Sequence, residues 1–569
     1  MSTVRAFLSR FQSLAPAALV ALAAAQSGIA QADEGQAVGP RLGAASNFSQ
    51  GRQPGTMELA EKLGVATYRD GMVWDRVESA PGRFVFDDPR TAFAREIAAQ
   101  GATASLVLNW GNKLYDGGDT PHSAEALAAF GTFAAEVVTQ FPEVDSLEIG
   151  NEFNGTNFVR GPLKKMPALE RARAYVDMLA AASSEARAAR PGIRISGGAT
   201  HSIPVGYLWE VLDAGGAAYI DALAIHPYTT DAEQFVRQIE VLRRHPDAAE
   251  LPLEVTEFGE PDPSKAASHF LRNYCQFALG GVTHAIWYPL NARGDDMVPL
   301  FTKQGQITPA GRAFRLIREN MEGRPVADAS QGPFSYGCTF GDAVMVVWGA
   351  PRSIEVSEGV SAHDAAGSEV AGPLALSEDE PLVFIAEGGG ISNKVKFGST
   401  AVIADSNDQF AYPEDTEFQA GADAFERFAR RGGKEFPLIT LPGQEAKGTP
   451  WYPYRGNPDF GNIRLSADGM LPGGRADSPV EIVHRYTAPE DEVIDVASRF
   501  AAAKRSEDGV SVRITLNERE LFAETGKQPI KAELSRVTLR KGDQLEVSVG
   551  PNGTRKGDLT TYSIRLSRS

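Results

Sequence analysis

The chain has 569 residues, 43% of them hydrophobic and 23% charged, an ordinary balance for a globular protein and too much length for one hydrophobic core. Its formal net charge of −17 would repel a nucleic-acid backbone or an anionic membrane surface, so neither is expected as a partner. No Cys/His cluster has metal-ligand spacing, so no zinc or other metal site is predicted, and nothing calls for a cofactor.

Residues 1–32 read as an export signal. Arg5 and Arg10 give a positive start, Leu14 to Ala25 is a short apolar run, and Ala30-Gln31-Ala32 offers a cleavage site. The run is shorter than the ~20 residues a membrane span needs, and no other candidate span is seen. The mature protein is expected from about Asp33, periplasmic or secreted, without stable membrane insertion.

Over residues 33–322, short apolar runs alternate with longer amphipathic stretches, the rhythm of βα units around a parallel sheet. Strands are expected at Arg41–Asn47, Ala66–Val73, Ala104–Asn109, Ser146–Asn151, Arg194–Gly198, Ala222–His226, Leu253–Glu257 and Ala285–Pro289. Helices are expected at Thr56–Leu63, Ala124–Gln140, Met166–Ala189, Lys265–Leu279 and Pro309–Met321, among others. This is the count of a (β/α)8 barrel, in a span close to the usual ~250 residues. A doubly wound open sheet is disfavoured because no Gly-rich phosphate turn follows the first strand.

Beyond the barrel the pattern becomes short and alternating. Residues 323–389 are read as a small antiparallel β domain, with Gly388-Gly389-Gly390 as a linker. Residues 390–569 are read as a jelly-roll-like β-sandwich. The run Trp451-Tyr452-Pro453-Tyr454, with Phe460 and Tyr486, makes this sandwich a candidate carbohydrate-binding module or simply an aromatic-rich core. Cys275 and Cys338 lie in differently patterned segments and are expected as two buried free thiols, although an oxidising compartment would permit a disulfide.

In a barrel of this kind the active site lies at the C-terminal ends of the strands. Strand four runs out through Glu148-Ile149-Gly150-Asn151-Glu152, and strand seven through Glu254-Val255-Thr256-Glu257-Phe258-Gly259. Each delivers a carboxylate directly after an apolar strand. Two such groups flanking a bond suit acid–base and nucleophilic work on a glycosidic linkage. One must hold a proton near neutral pH, and desolvation beside a second negative charge is expected to raise its pKa. Glu148, Glu254 and Glu260 are the local competitors, the first two lying deeper and better suited to structural pairing.

The Asn-Glu ending strand four and the Glu ending strand seven resemble glycoside hydrolase clan A. Within it the chain is similar to family 39 and related glycosidases of bacterial exopolysaccharide systems. Supporting matches are Arg69, Asn109-Trp110, His226-Pro227-Tyr228 and Trp287. The resemblance implies a retaining hydrolase with Glu152 as acid/base and Glu257 as nucleophile. It further implies Asn151 on the sugar 2-hydroxyl, Arg69 keeping Glu257 ionised, His226 and Tyr228 orienting the nucleophile, and Trp287 as an apolar floor. Asn109 and Trp110 are carried over as substrate-binding positions. The loops from Asn112 to His122 and from Gly155 to Lys165 (Asn157, Phe158, Arg160) are candidate subsite walls. The expected partner is a polysaccharide cut internally. An exo-acting β-xylosidase-like enzyme and a non-catalytic glycan-binding protein are the alternatives.

Overall fold

Eight parallel strands close into a barrel in the computed structural model of the protein, which describes residues 37–414, 423–461, 463–475 and 477–569. The expected export signal lies outside the described residues. The strands are β1 Arg41–Ala45, β2 Thr67–Gly71, β3 Thr103–Leu108, β4 Ser146–Ile149, β5 Arg194–His201, β6 Ala222–His226, β7 Leu253–Phe258 and β8 Val282–Trp287. Each pairs in parallel with its neighbours in sequence, and β8 returns to β1. Residues of β6 are buried along its whole length, as befits a parallel strand covered on both faces. The surrounding helices carry ordinary start signals. The Ser123 hydroxyl accepts from Ala126 N ahead of Ala124–Gln140, and Thr308 does the same for Pro309–Asn320, whose first residue is proline.

The next segment forms two facing sheets. One has five strands and includes Ser335–Phe340, Val344–Gly349 and Leu382–Ala386. Alternation along these strands divides their side chains between two cores. Cys338, Phe340, Val344, Val346, Trp348 and Val383 join the barrel core, while Met345, Val347 and Phe384 pack with Ile354, Ile391 and Val395. The expected linker is therefore misplaced. Gly389 has φ +78°, and a Cβ there would lie 2.4 Å from Asp342 Oδ2. The glycines turn the chain into helix Ile391–Lys394 and strand Val395–Phe397, which pairs with Ser353–Val356 and completes this small β body.

The expectation of free thiols is also corrected: Cys275 and Cys338 form a disulfide, with Cα atoms 5.9 Å apart. Cys275 sits on helix Ala266–Leu279 and Cys338 on the sheet face packed toward the barrel. The bond therefore staples the small β body to the barrel, a proximity created by packing and invisible in the 63-residue sequence separation.

The C-terminal part is a two-sheet antiparallel sandwich. From Ser478 onward consecutive strands alternate between the sheets, except for the hairpin Val510–Leu516/Arg519–Gly526. Ile482, Phe500, Val512, Val547 and Ile564 fill the core between them, and Tyr486 belongs to this core. The sandwich is tied to the barrel by hydrogen bonds: Gln234 Nε2 donates to Asn407 O at 3.0 Å, and Gly206 N to Gly443 O at 3.1 Å. Among the described residues no helix is long and apolar enough to cross a membrane.

Replacing Cys275 and Cys338 together by serine should lower unfolding stability by ~2–4 kcal/mol, because the crosslink no longer restricts the unfolded chain. Denaturant titration of the oxidised protein and the double variant measures this, and equal midpoints would mean that the staple contributes nothing.

Candidate active site

The C-terminal ends of β2, β4, β6 and β7 converge on one polar cluster. At its centre is Arg69, 5% exposed. Its Nε lies 3.1 and 3.2 Å from the two carboxylate oxygens of the fully buried Glu148, and its Nη2 also bonds Glu148. Nη2 donates to Asn151 Oδ1 at 2.9 Å, and Nη1 bonds Glu257 Oε1. Burial alone would lower the pKa of the guanidinium, but Glu148 and Glu257 outweigh it and raise the pKa further, so Arg69 stays cationic.

Glu257 owes its position to a bulge. Between β7 and β8, Val255 pairs with Ala285 but Phe258 with Trp287, so β7 carries an extra residue there. The bulge aims Glu257 at Arg69 while Phe258 returns to the outer face against Trp287, 5.2 Å between ring centroids. The other oxygen of Glu257 accepts from Tyr228 Oη at 3.1 Å. Burial, then Glu257, raises the Tyr228 pKa well above its ordinary value and keeps that hydroxyl a donor.

Glu152 is held by its backbone. Gly150 has φ +84°, where a Cβ would lie 2.7 Å from Tyr175 Cε2. Glu152 itself adopts φ +49°, and its N–H donates to Ala199 O at 2.7 Å. A left-handed conformation in a non-glycine residue is strained and is held here by its surroundings. The Glu152 carboxylate faces two imidazoles, with Oε1 3.2 Å from His226 Nδ1 and 3.4 Å from His201 Nδ1. Burial pushes its pKa up, but hydrogen bonds from His201 and His226 prevail and bring it down to about 2. The expected rise is thus reversed, because the charge of Glu257 is matched by Arg69 and Tyr228 while imidazoles surround Glu152.

Other expected residues sit differently from their assignments. His226 is 0% exposed, with Nε2 3.1 Å from Thr256 Oγ1. Its Nδ1 is nearer Glu152 than Glu257, at 3.2 against 3.9 Å, so it orients Glu152 and not, as expected, Glu257. Asn109 is 1% exposed; its Oδ1 accepts from Asn151 N at 2.8 Å and its Nδ2 donates to Phe158 O. It positions Asn151 through the first of these bonds. Trp110 lies half-buried over Gly71 at the end of β2. Trp287 is no floor: it is 0% exposed, stacked on Phe270 of an outer helix at 4.3 Å, with Nε1 donating to Val298 O. The pleat turns the following residue inward instead. Tyr288 is half-exposed, and burial followed by a bond to Asp295 and the charge of Glu257 raises its pKa. Glu254 pairs with Arg194 and accepts from Ser196 Oγ at 2.7 Å, deep in the barrel.

Sequence reasoning missed His201. The glycines at 197 and 198 suggested that β5 ended there, but the strand continues through an irregularity at Ala199 to His201, which is in register with His226. A Thr-His after an apolar strand was the available signal. Glu152, His226 and Glu257 present oxygen and nitrogen atoms all within 4.8 Å of one another. Such a trio could also surround a cation, but Arg69 already supplies a fixed positive charge on Glu257.

Arg69→Ala should cost ~3–5 kcal/mol of stability by leaving Glu148 charged and unpaired in the barrel. Tyr228→Phe, which removes one hydroxyl, should cost no more than ~1.5 kcal/mol. Urea unfolding separates the two, and a loss for Arg69→Ala no larger than for Tyr228→Phe would contradict the role given to the guanidinium.

No family model matches the chain, and no curated protein matches it. Among solved structures it is similar to a family 39 glycoside hydrolase from the gut symbiont Bacteroides cellulosilyticus, with 18% identity, TM-score 0.50, and 61% of this chain and 81% of that one covered. Further matches are a family 30 endoxylanase from Clostridium papyrosolvens (14% identity, TM-score 0.46, 62% and 98% covered) and a family 39 β-xylosidase from Caulobacter crescentus (16% identity, TM-score 0.45, 62% and 96% covered). The protein thus has the (β/α)8 barrel fold of a family 39 glycoside hydrolase, followed by antiparallel β sheets.

Proposed function

We propose that the protein is a retaining glycoside hydrolase that cleaves a polysaccharide, with Glu257 as nucleophile and Glu152 as acid/base. The observation that carries this reading is the approach of the two carboxylates: their facing atoms lie within 4.8 Å. So close an approach favours the ~5–5.5 Å carboxyl separation of retaining enzymes over the ~6.5–9.5 Å of inverting ones. Arg69 and Tyr228 each bond one oxygen of Glu257 and fix its orientation.

In the first step Glu257 forms a bond to the anomeric carbon as the glycosidic C–O bond breaks, and the leaving oxygen takes a proton from Glu152. In the second step water adds at the same carbon, the ester to Glu257 breaks, and the water proton returns to Glu152. His201 and His226 both lie within reach of Glu152 Oε1, at 3.4 and 3.2 Å, and hold its carboxyl in place for both transfers. Asn151, with Oδ1 turned to Arg69, has its amide Nδ2 available for the sugar 2-hydroxyl. The disulfide supports an oxidising compartment, hence a periplasmic or secreted protein. The β bodies beside the barrel favour a polymer substrate, and we take it to be cut internally.

Incubation with activated 2-deoxy-2-fluoro glycosides of gluco, manno, galacto and xylo configuration should add one glycosyl unit, mapped to Glu257. A label on another carboxylate would refute the assignment, and absence of label with all four would favour a glycan-binding protein. Glu152→Ala should slow poor leaving groups far more than activated aryl ones, since only the former need protonation; equal losses would remove Glu152 from the acid role. His201→Ala withdraws one of the bonds that depress the Glu152 pKa. More Glu152 is then protonated at a given pH, and the basic limb of kcat/KM for poor leaving groups should move to higher pH. An unmoved limb would show that His201 does not govern this proton.

A further inference from the structure

The aromatic run of the C-terminal sandwich reaches the barrel mouth. Tyr454 is 4% exposed and bonded to Glu445, so it belongs to the fold. Trp451 is 39% exposed and faces the site. Its ring meets His201 edge-to-face at 5.4 Å, 83° between planes. A Cβ added at Gly155, three residues beyond Glu152, would lie 3.6 Å from Trp451 Cη2. The indole therefore overhangs the loop that carries the acid, touching a histidine that touches Glu152.

Its position is built from both bodies. Asn154 Nδ2 donates to His201 O at 3.0 Å and to Gln444 Oε1 at 3.2 Å, while Asn154 Oδ1 accepts from His201 N at 3.0 Å. One amide thus ties β5 to the sandwich segment. That segment is closed by Gln444 N donating to Pro450 O at 2.8 Å and anchored by Gly206 N on Gly443 O. A cavity of about 320 Å³ opens on the sandwich side of the ring, lined by Trp451, Tyr452, Tyr454 and Arg464 among others.

We propose that Trp451, supplied by the C-terminal sandwich, is the stacking platform for the sugar on the leaving-group side of the scissile bond, with the adjoining cavity taking the next unit. The direction follows from chemistry. Glu257, Arg69 and Tyr228 define the side where the anomeric carbon is attacked, whereas Glu152 touches the departing oxygen. Trp451 and His201 lie on the Glu152 side. An indole half-exposed beside a polar cleft offers a flat apolar face to the C–H face of a pyranose. The sandwich then completes the substrate cleft and is not a separately tethered binding module.

This inference rests on the glycosidase reading, and its test separates the two. The 2-fluoroglycosyl enzyme is prepared from the full chain, and loss of label is followed in buffer alone and with cellobiose, mannobiose or xylobiose as acceptor. An acceptor must occupy the leaving-group side to take the sugar from Glu257. At least one should hasten release from the wild-type chain. Trp451→Ala should reduce the acceptor-to-water ratio by roughly tenfold, with Trp451→Phe restoring part of it; the ratio cancels general damage to the barrel. A ratio unchanged in Trp451→Ala, or no acceleration by any acceptor in the wild type, overturns the platform while leaving the nucleophile standing. Failure to form the label overturns the glycosidase reading, and the platform falls with it.

Discussion

A guanidinium inside a barrel must be matched by charge or it would not stay there, and Arg69 is matched three ways. Glu148 takes it from below, Asn151 from the side and Glu257 from the mouth. Because Glu148 is fully buried and Arg69 nearly so, neither can be removed without stranding the other in a medium that solvates charge poorly. Glu257 is the outermost member, with a side chain 15% exposed. One ion therefore links β2, β4 and β7 across the barrel and aims a carboxylate at the opening.

The two carboxylates at the mouth are chemically alike yet surrounded differently. Glu257 has a permanent cation and a phenol that cannot readily ionise. Glu152 has two imidazoles, whose ring nitrogens can hold or release a proton. A fixed charge suits a group that must remain an anion, whereas a mobile proton suits one that gives and takes protons in turn. The division of labour proposed for the pair thus has a counterpart in their neighbours.

The β bodies do more than follow the barrel. The small one shares the barrel core and is stapled to it through Cys275–Cys338. The sandwich reaches the mouth through Asn154, whose amide spans His201 and Gln444. An aromatic ring from a segment some 300 residues downstream of Glu152 thereby overhangs the loop that follows it.

Much of this was legible in the sequence, for a physical reason. Parallel strands buried on both faces are apolar runs, amphipathic helices repeat between them, and a strand-end position is a matter of counting. So the barrel and the two carboxylates near the ends of β4 and β7 could be read from residue order, while Arg69, Asn151 and Tyr228 came only from the resemblance to clan A. What could not be read depends on which way a side chain turns or what folds back upon it. The β7 bulge and the β8 pleat decide that Trp287 faces the helices and Tyr288 the mouth. Continuation of β5 past two glycines brings His201 beside Glu152 and reverses the direction of its pKa shift. The disulfide and Trp451 join segments whose proximity exists only after the sheets have packed, because short alternating strands specify a buried face but not the surface it will meet.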